Sequence, residues 1–139
     1  MFDLTQIEDY VLKGCSSGSN AVFTFNDIID ARLKKINPSI TYIGYSDSGM
    51  FPLTVSYETG DINDHLEMKQ LFYLVNTEVE YPMTECTKAN RQDPSLCFHV
   101  EYMLPHIKAP LYIIHPGYDT WGLDNVLDIP SCVTYGNQD

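Results

Sequence analysis

The sequence predicts an α/β fold: a mostly parallel sheet with helices on both faces. Three observations lead there. Strand-like and helix-like segments alternate along the chain, as βαβ units require. Residues 109–115 (APLYIIH) form a continuous apolar run bounded by Pro110 and Pro116-Gly117, the pattern of a strand buried on both faces. Residues 14–18 (GCSSG) form a glycine-bounded turn where a strand-like segment meets a helix-like one. The length, 139 residues, is that of one domain.

Residues 8–13 (EDYVLK) read as a short strand ending in Gly14. From residue 20 to 36, Ala21, Val22, Phe25, Ile28, Ile29, Leu33 and Ile36 recur at helical spacing. Asn37-Pro38 stops that helix. Residues 40–45 (ITYIGY) are β-branched and aromatic, hence a strand, and Asp47-Ser48-Gly49 reads as a turn. Residues 62–75 give a second helical pattern, with Leu66, Met68, Leu71, Phe72 and Val75 on one side. Residues 81–93 are polar and irregular, and 96–104 suit either a strand or a short helix. Residues 120–127 suit a helical turn, and 136–139 read as a frayed end.

Hydrophobic residues make up 44% of the chain, enough for a core. Eight Lys and Arg against 19 Asp and Glu give a net charge of −11. Such a surface repels phosphate backbones and anionic headgroups, which argues against nucleic acid and polybasic membrane docking. No apolar run approaches the roughly 20 residues of a membrane span. Residues 1–10 (MFDLTQIEDY) are acidic and polar, unlike a signal peptide. The four cysteines, Cys15, Cys86, Cys97 and Cys132, allow three pairings, and none forms a CxxC pair. Asp47, His99 and His115 match no metal-ligand spacing, and nothing implies a cofactor.

Gly14-Cys15-Ser16-Ser17-Gly18 matches G-x-S-x-G at the end of a strand and the start of a helix. In that context the serine of a nucleophile elbow sits on a tight, strained turn with its hydroxyl exposed. The following residue, Ser17, would lend its N–H to an oxyanion hole, beside the positive end of the helix. The alternative is a glycine-rich turn in which Ser16 caps the helix. Ser17 and Ser19 are local competitors for the nucleophile, and Cys15 reads as a small buried residue. The matching acid should follow a later strand, and Asp119 does so, with Asp124 in reserve. Asp119 could equally be a turn aspartate after Pro116-Gly117. The base should be a histidine after the acid, but His65, His99, His106 and His115 all precede it. His115 reads as a packing or hydrogen-bonding residue, while His99 and His106 read as facing solvent or a loop; a rearranged triad using His115 or His99 is the minor alternative.

Three blocks resemble the pectin acetylesterase family, which includes the Notum-type carboxylesterases. Residues 14–18 are similar to the family's GCSAGG elbow. Residues 46–51 (SDSGMF) are similar to its SDAGFF or DSGWF. Residues 86–98 (CTKANRQDPSLCF) and 118–125 (YDTWGLDN) are similar to its CTSKMDPSLCF and AYDSWQIQN. The likeness runs from about Tyr10 to Leu127. It implies a partial α/β-hydrolase fold over 1–139, lacking N- and C-terminal parts. It also implies a serine esterase of small acyl groups on sugars or proteins. Ser16 takes the nucleophile position, Asp119 the acid position, and Ser17 that of the residue lending its N–H. Cys86 and Cys97 match family cysteines that would pair with each other, which suits a secreted or lumenal home. The substrate implied is an acylated polysaccharide or related ester. The acidic charge would repel a polyuronate, leaving neutral or protein-linked esters open. Ser19 stands where the family carries glycine, and His115 where it often carries asparagine. The family's histidine beyond the acid and its upstream oxyanion segment have no match. The chain therefore reads as the central part of a larger hydrolase, inactive alone. The alternative is a non-catalytic relic or binding module of the same fold.

Overall fold

A computed structural model describes residues 3–75 and 84–129. Cys132 and the frayed end expected at 136–139 lie outside the described residues. Three parallel strands form one sheet in the order β1 (Asp9–Cys15), β2 (Thr41–Asp47), β3 (Leu111–Ile114). Between them run α1 (Ser17–Ile36), α2 (Asn63–Val75), α3 (Thr84–Ala89) and α4 (Val100–Met103), and α5 (Thr120–Asn125) follows β3. The register pairs Cys15 with Asp47 and Asp47 with Ile114, so all three strands end level at their C-terminal edge.

Period-two alternation sorts the strand side chains. Leu12, Tyr42, Gly44 and Ser46 point toward α1, where Leu33, Ile40 and Tyr42 form a core with Tyr10, Leu12 and Ile29. A second core joins Phe23 of α1 to Cys86, Cys97, Val100 and Met103, with Leu111 and Ile113 of β3 against it. The opposite face carries exposed Val11, Ile43, Tyr112 and Ile114. Among the described residues, then, helices cover one of the two faces. The apolar run at 109–115 shortens to four residues that alternate half-buried and exposed, rather than buried on both sides. Cys15 follows the same alternation: expected to be buried, it is an exposed free thiol on the face away from α1.

α1 starts at Ser17, three residues earlier than its apolar pattern, and it is turned from the expected stripe. Phe25 and Ile36 are exposed, while Ser19, Val22, Phe23, Asn26 and Leu33 are buried. These positions keep a 3.6-residue period, but two of them are polar. Their burial is tolerated because both side chains are hydrogen-bonded to strand groups. Asn26 Nδ2 donates to the carbonyls of Ala109 (3.1 Å) and Pro110 (3.4 Å), and Tyr42 Oη donates to Asn26 Oδ1 (2.8 Å). Burial, then the Asp30 carboxylate, pushes the Tyr42 phenol pKa well up. On α2 the expected apolar face fails. Phe72 is buried against Phe98, but Leu66, Leu71 and Val75 are exposed.

Residues 81–93, read as irregular, contain α3. The ambiguous 96–104 segment is helical: a 3-10 turn over Pro94–Phe98, then α4. Cys86 on α3 and Cys97 on that turn are disulfide-bonded and fully buried. The bridge closes a short loop, so reduction is expected to lower unfolding free energy by about 2–3 kcal/mol. Urea melts with and without a phosphine reductant would measure this. An unchanged midpoint would mean the surrounding core holds the segment without the bridge.

Candidate active site

Only Ser16 separates β1 from α1. Its backbone sits at φ 52, ψ −125, a region that glycine favours and that strains any other residue by about 1–3 kcal/mol. Two hydrogen bonds pin it there. The Ser16 N–H donates to the Asp47 carbonyl (2.9 Å), and the Ser16 carbonyl accepts from the Ser19 N–H (2.8 Å). Ser16 occupies the N-cap position, yet its hydroxyl makes no capping bond and the residue is exposed. The helix-cap alternative therefore fails on geometry, and the hydroxyl stands unengaged by the helix at the C-terminal edge of the sheet.

The flanking glycines differ. A Cβ on Gly14 would lie 2.1 Å from the Gly18 carbonyl oxygen, whereas one on Gly18 would meet nothing within 4 Å. Gly14 is thus required by close backbone approach, and Gly18 is not. Gly14→Ala should destabilise the protein by about 2–3 kcal/mol. Gly18→Ala should be neutral or stabilising by up to about 1 kcal/mol. Denaturant midpoints of the two variants would decide this, and equal losses would refute it.

Ser17 is the first residue of α1, so its N–H has no partner within the helix and lies at the positive end of a 20-residue dipole. Ser19 cannot compete as nucleophile, because it is fully buried and its hydroxyl is engaged.

On the other side of β2, the chain leaves β3 through His115, Pro116 and Gly117 and reaches Asp119 at the N-cap of α5. Asp119 Oδ2 accepts the Gly122 N–H (2.9 Å). A carboxylate can accept about four hydrogen bonds, so capping leaves capacity to orient an imidazole. Asp124 is exposed on α5. Beside Asp119 lies a cleft of about 530 Å³ lined by Met50, Thr54, His115, Leu123 and Val126, among others. Phe51, edge-on to Trp121 at 5.3 Å, ties the segment after β2 to α5. Ser16 and Asp119 thus follow the C-terminal ends of the two strands flanking β2. Those strand ends are two inter-strand spacings apart, about 10 Å.

The described histidines lie before Asp119 in sequence, and His115 lines the same cleft as Asp119. His99 was expected to face solvent or a loop. It is fully buried, because it enters α4 next to the disulfide core. His106 is half-buried at the end of a 3-10 turn, and His115 accepts the Met50 N–H at Nδ1 (3.4 Å). Among the described residues no group of three His, Cys, Asp or Glu could hold a metal ion, and no helix is long and apolar enough to cross a membrane. Sequence reasoning missed the buried, hydrogen-bonded Ser19 and Asn26. The only available signal was polar residues falling on the period of α1's buried face.

Comparison with known proteins matches a family model described as pectinacetylesterase to residues 2–138. Pectin acetylesterase 7 of Arabidopsis thaliana is 28% identical over 131 residues, covering 94% of this chain and 32% of the relative. Pectin acetylesterase 11 of the same plant is 24% identical over 130 residues, covering 89% and 30%. The crystal structure of the Wnt deacylase Notum from Drosophila superposes with a TM-score of 0.65 at 28% identity, over 76% of this chain and 30% of that one. The chain spans about a third of the length of these relatives.

Proposed function

The chain belongs to the pectinacetylesterase family, and from that premise we propose that it carries the nucleophile and acid of a serine carboxylesterase with an α/β-hydrolase fold. The observation that carries this reading is the strained, non-capping Ser16 between β1 and α1. In the proposed reaction Ser16 Oγ attacks the ester carbonyl and passes its proton to a histidine. Asp119 holds that imidazole and stabilises its charged form. The Ser17 N–H and the α1 dipole face the developing oxyanion. The alcohol leaves with the proton, an acyl-enzyme remains, and water releases the acid. The substrate is an acetylated polysaccharide or a related ester.

The base in this proposal is a histidine beyond Asp119 in a longer protein, in keeping with relatives about three times the length. The 139-residue segment alone would then turn over ester poorly, since a triad without its base loses several orders of magnitude in rate. The buried disulfide supports an oxidising, secreted or lumenal setting.

Labelling with a fluorophosphonate, a probe that phosphonylates activated serines, tests the reading. The full-length protein should take up one equivalent, and peptide mass mapping should place it on Ser16. No labelling, or labelling elsewhere, would favour a non-catalytic module.

A further inference from the structure

Resting on the esterase reading, we propose that Ser19 is a positioning residue whose buried hydroxyl clasps the ends of β1 and β2 and thereby holds Ser16 in its strained, reactive backbone geometry.

Ser19 lies on the first turn of α1 and is fully buried. Its hydroxyl lies 2.9 Å from the carbonyls of both Gly14, on β1, and Asp47, on β2, so one proton serves two acceptors. The same oxygen accepts the Asp47 N–H at 3.0 Å. One side chain thus bonds α1 to the last turn of the ladder on both strands. Its main chain does more, since the Ser19 N–H donates to the Ser16 carbonyl. The other anchor of Ser16, its N–H, ends on the Asp47 carbonyl that Ser19 also holds. Both ends of the strained residue therefore run through Ser19 or its bonded partner.

Gly49 completes the arrangement. A Cβ there would fall 1.8 Å from Ser19 Cβ and 2.9 Å from the Ser16 carbonyl oxygen. The bare backbone of Gly49 makes room for the serine side chain, and Ser19 and Gly49 act as a complementary pair.

A strained conformation persists only when its surroundings over-determine it. Without the Ser19 hydroxyl, a part-buried N–H loses a partner and two carbonyls lose a donor. The Asp47 segment can then shift, and the Ser16 N–H shifts with it. Even a small displacement of a nucleophile lowers its rate steeply, with little effect on substrate binding.

The test uses Ser19→Ala in the full-length protein, with amide exchange by NMR and fluorophosphonate labelling as joint readouts. Should the alanine variant fold poorly, Ser19→Cys, which keeps a similar shape but offers only a weak donor and acceptor, replaces it. Exchange of the Ser16 and Asp47 amides should speed up about tenfold or more, while the Leu12 and Ile43 amides stay unchanged. Labelling should slow by a similar factor, and kcat on a p-nitrophenyl ester should fall with KM unchanged. A merely structural role would lower the melting temperature without slowing the labelling of folded protein. Equal exchange at Ser16 and Asp47 overturns the clasp. Faster exchange with unchanged labelling overturns the positioning role. A wild-type protein that the probe never labels overturns the esterase reading, and the positioning role with it.

Discussion

Replacing Ser16 with glycine in the full-length protein is expected to abolish ester hydrolysis and to stabilise the fold at the same time. The first effect follows if Ser16 is the nucleophile. Loss of such a group lowers kcat by about 10³–10⁶-fold. The second follows from φ 52, ψ −125, which glycine adopts without the Cβ clash that strains serine. Relief of about 1–3 kcal/mol is partly offset by the about 0.5–1 kcal/mol of extra chain entropy that glycine gives the unfolded state. The net gain should be about 1 kcal/mol. Ser16→Ala separates the effects: activity is lost, but the strain stays because alanine keeps the Cβ. Urea denaturation with an ester assay on all three proteins makes the comparison. A glycine variant less stable than wild type would show that the turn is not strained. Residual hydrolysis in both variants would move the nucleophile elsewhere.

Asn26→Leu should be the most damaging single change to stability, at about 3–5 kcal/mol. Leucine has asparagine's branching and suits a helix interior, so propensity does not predict such a loss, and its bulkier methyl groups add overpacking against Gly44. Most of the damage comes from hydrogen bonding. Asn26 is fully buried, takes the Tyr42 hydroxyl proton and satisfies the Ala109 carbonyl at the entry to β3, while the Pro110 carbonyl it also reaches keeps the Gly44 N–H. Each group left without a partner in the interior costs about 1–3 kcal/mol. Gly44 adds a steric constraint, because a Cβ there would lie 2.1 Å from Asn26 Oδ1, so the helix has no room to slide. Tyr42→Phe removes one bond only and should cost about 1–1.5 kcal/mol. Chemical denaturation of both variants checks the ranking. If Asn26→Leu costs less than Tyr42→Phe, the loop before β3 relaxes to solvate its own carbonyls and Asn26 is not the anchor. Neighbouring Asp27 adds to the anchor by accepting the N–H groups of Lys108 and Ala109. Two successive residues of α1 thus fix where β3 begins, over 80 residues downstream in sequence.

Much of this was legible in the chain, for physical reasons. Local chemistry, namely β-branched runs, a 3.6-residue period and Asn37-Pro38, marked all three strands and the two long helices. The spacing of Gly14, Ser16 and Gly18 between a strand and a helix marked the elbow, because only that context forces a serine into an exposed, strained turn. The short helix α3 was not legible: six mostly polar residues carry no amphipathic signal, and the buried Cys86 on it is packed by distant partners. The face of α1 was misjudged because a hydrophobic stripe assumes that polar residues point outward. Ser19 and Asn26 point inward, since the strand ends they bond lie 28 and 83 residues away in sequence.

The sequence by itself determined the parallel α/β alternation, the family blocks and the positions of Ser16 and Asp119 at strand ends. All of these follow from local backbone preference and turn chemistry. Only the tertiary structure decided that Ser16 is strained and does not cap α1, that Cys15 is exposed and His99 buried, and that Ser19 and Asn26 lock helix to sheet. Those outcomes depend on which groups meet across the β1–β2–β3 register, and hydrogen-bond partners supplied by other segments leave no trace in local composition.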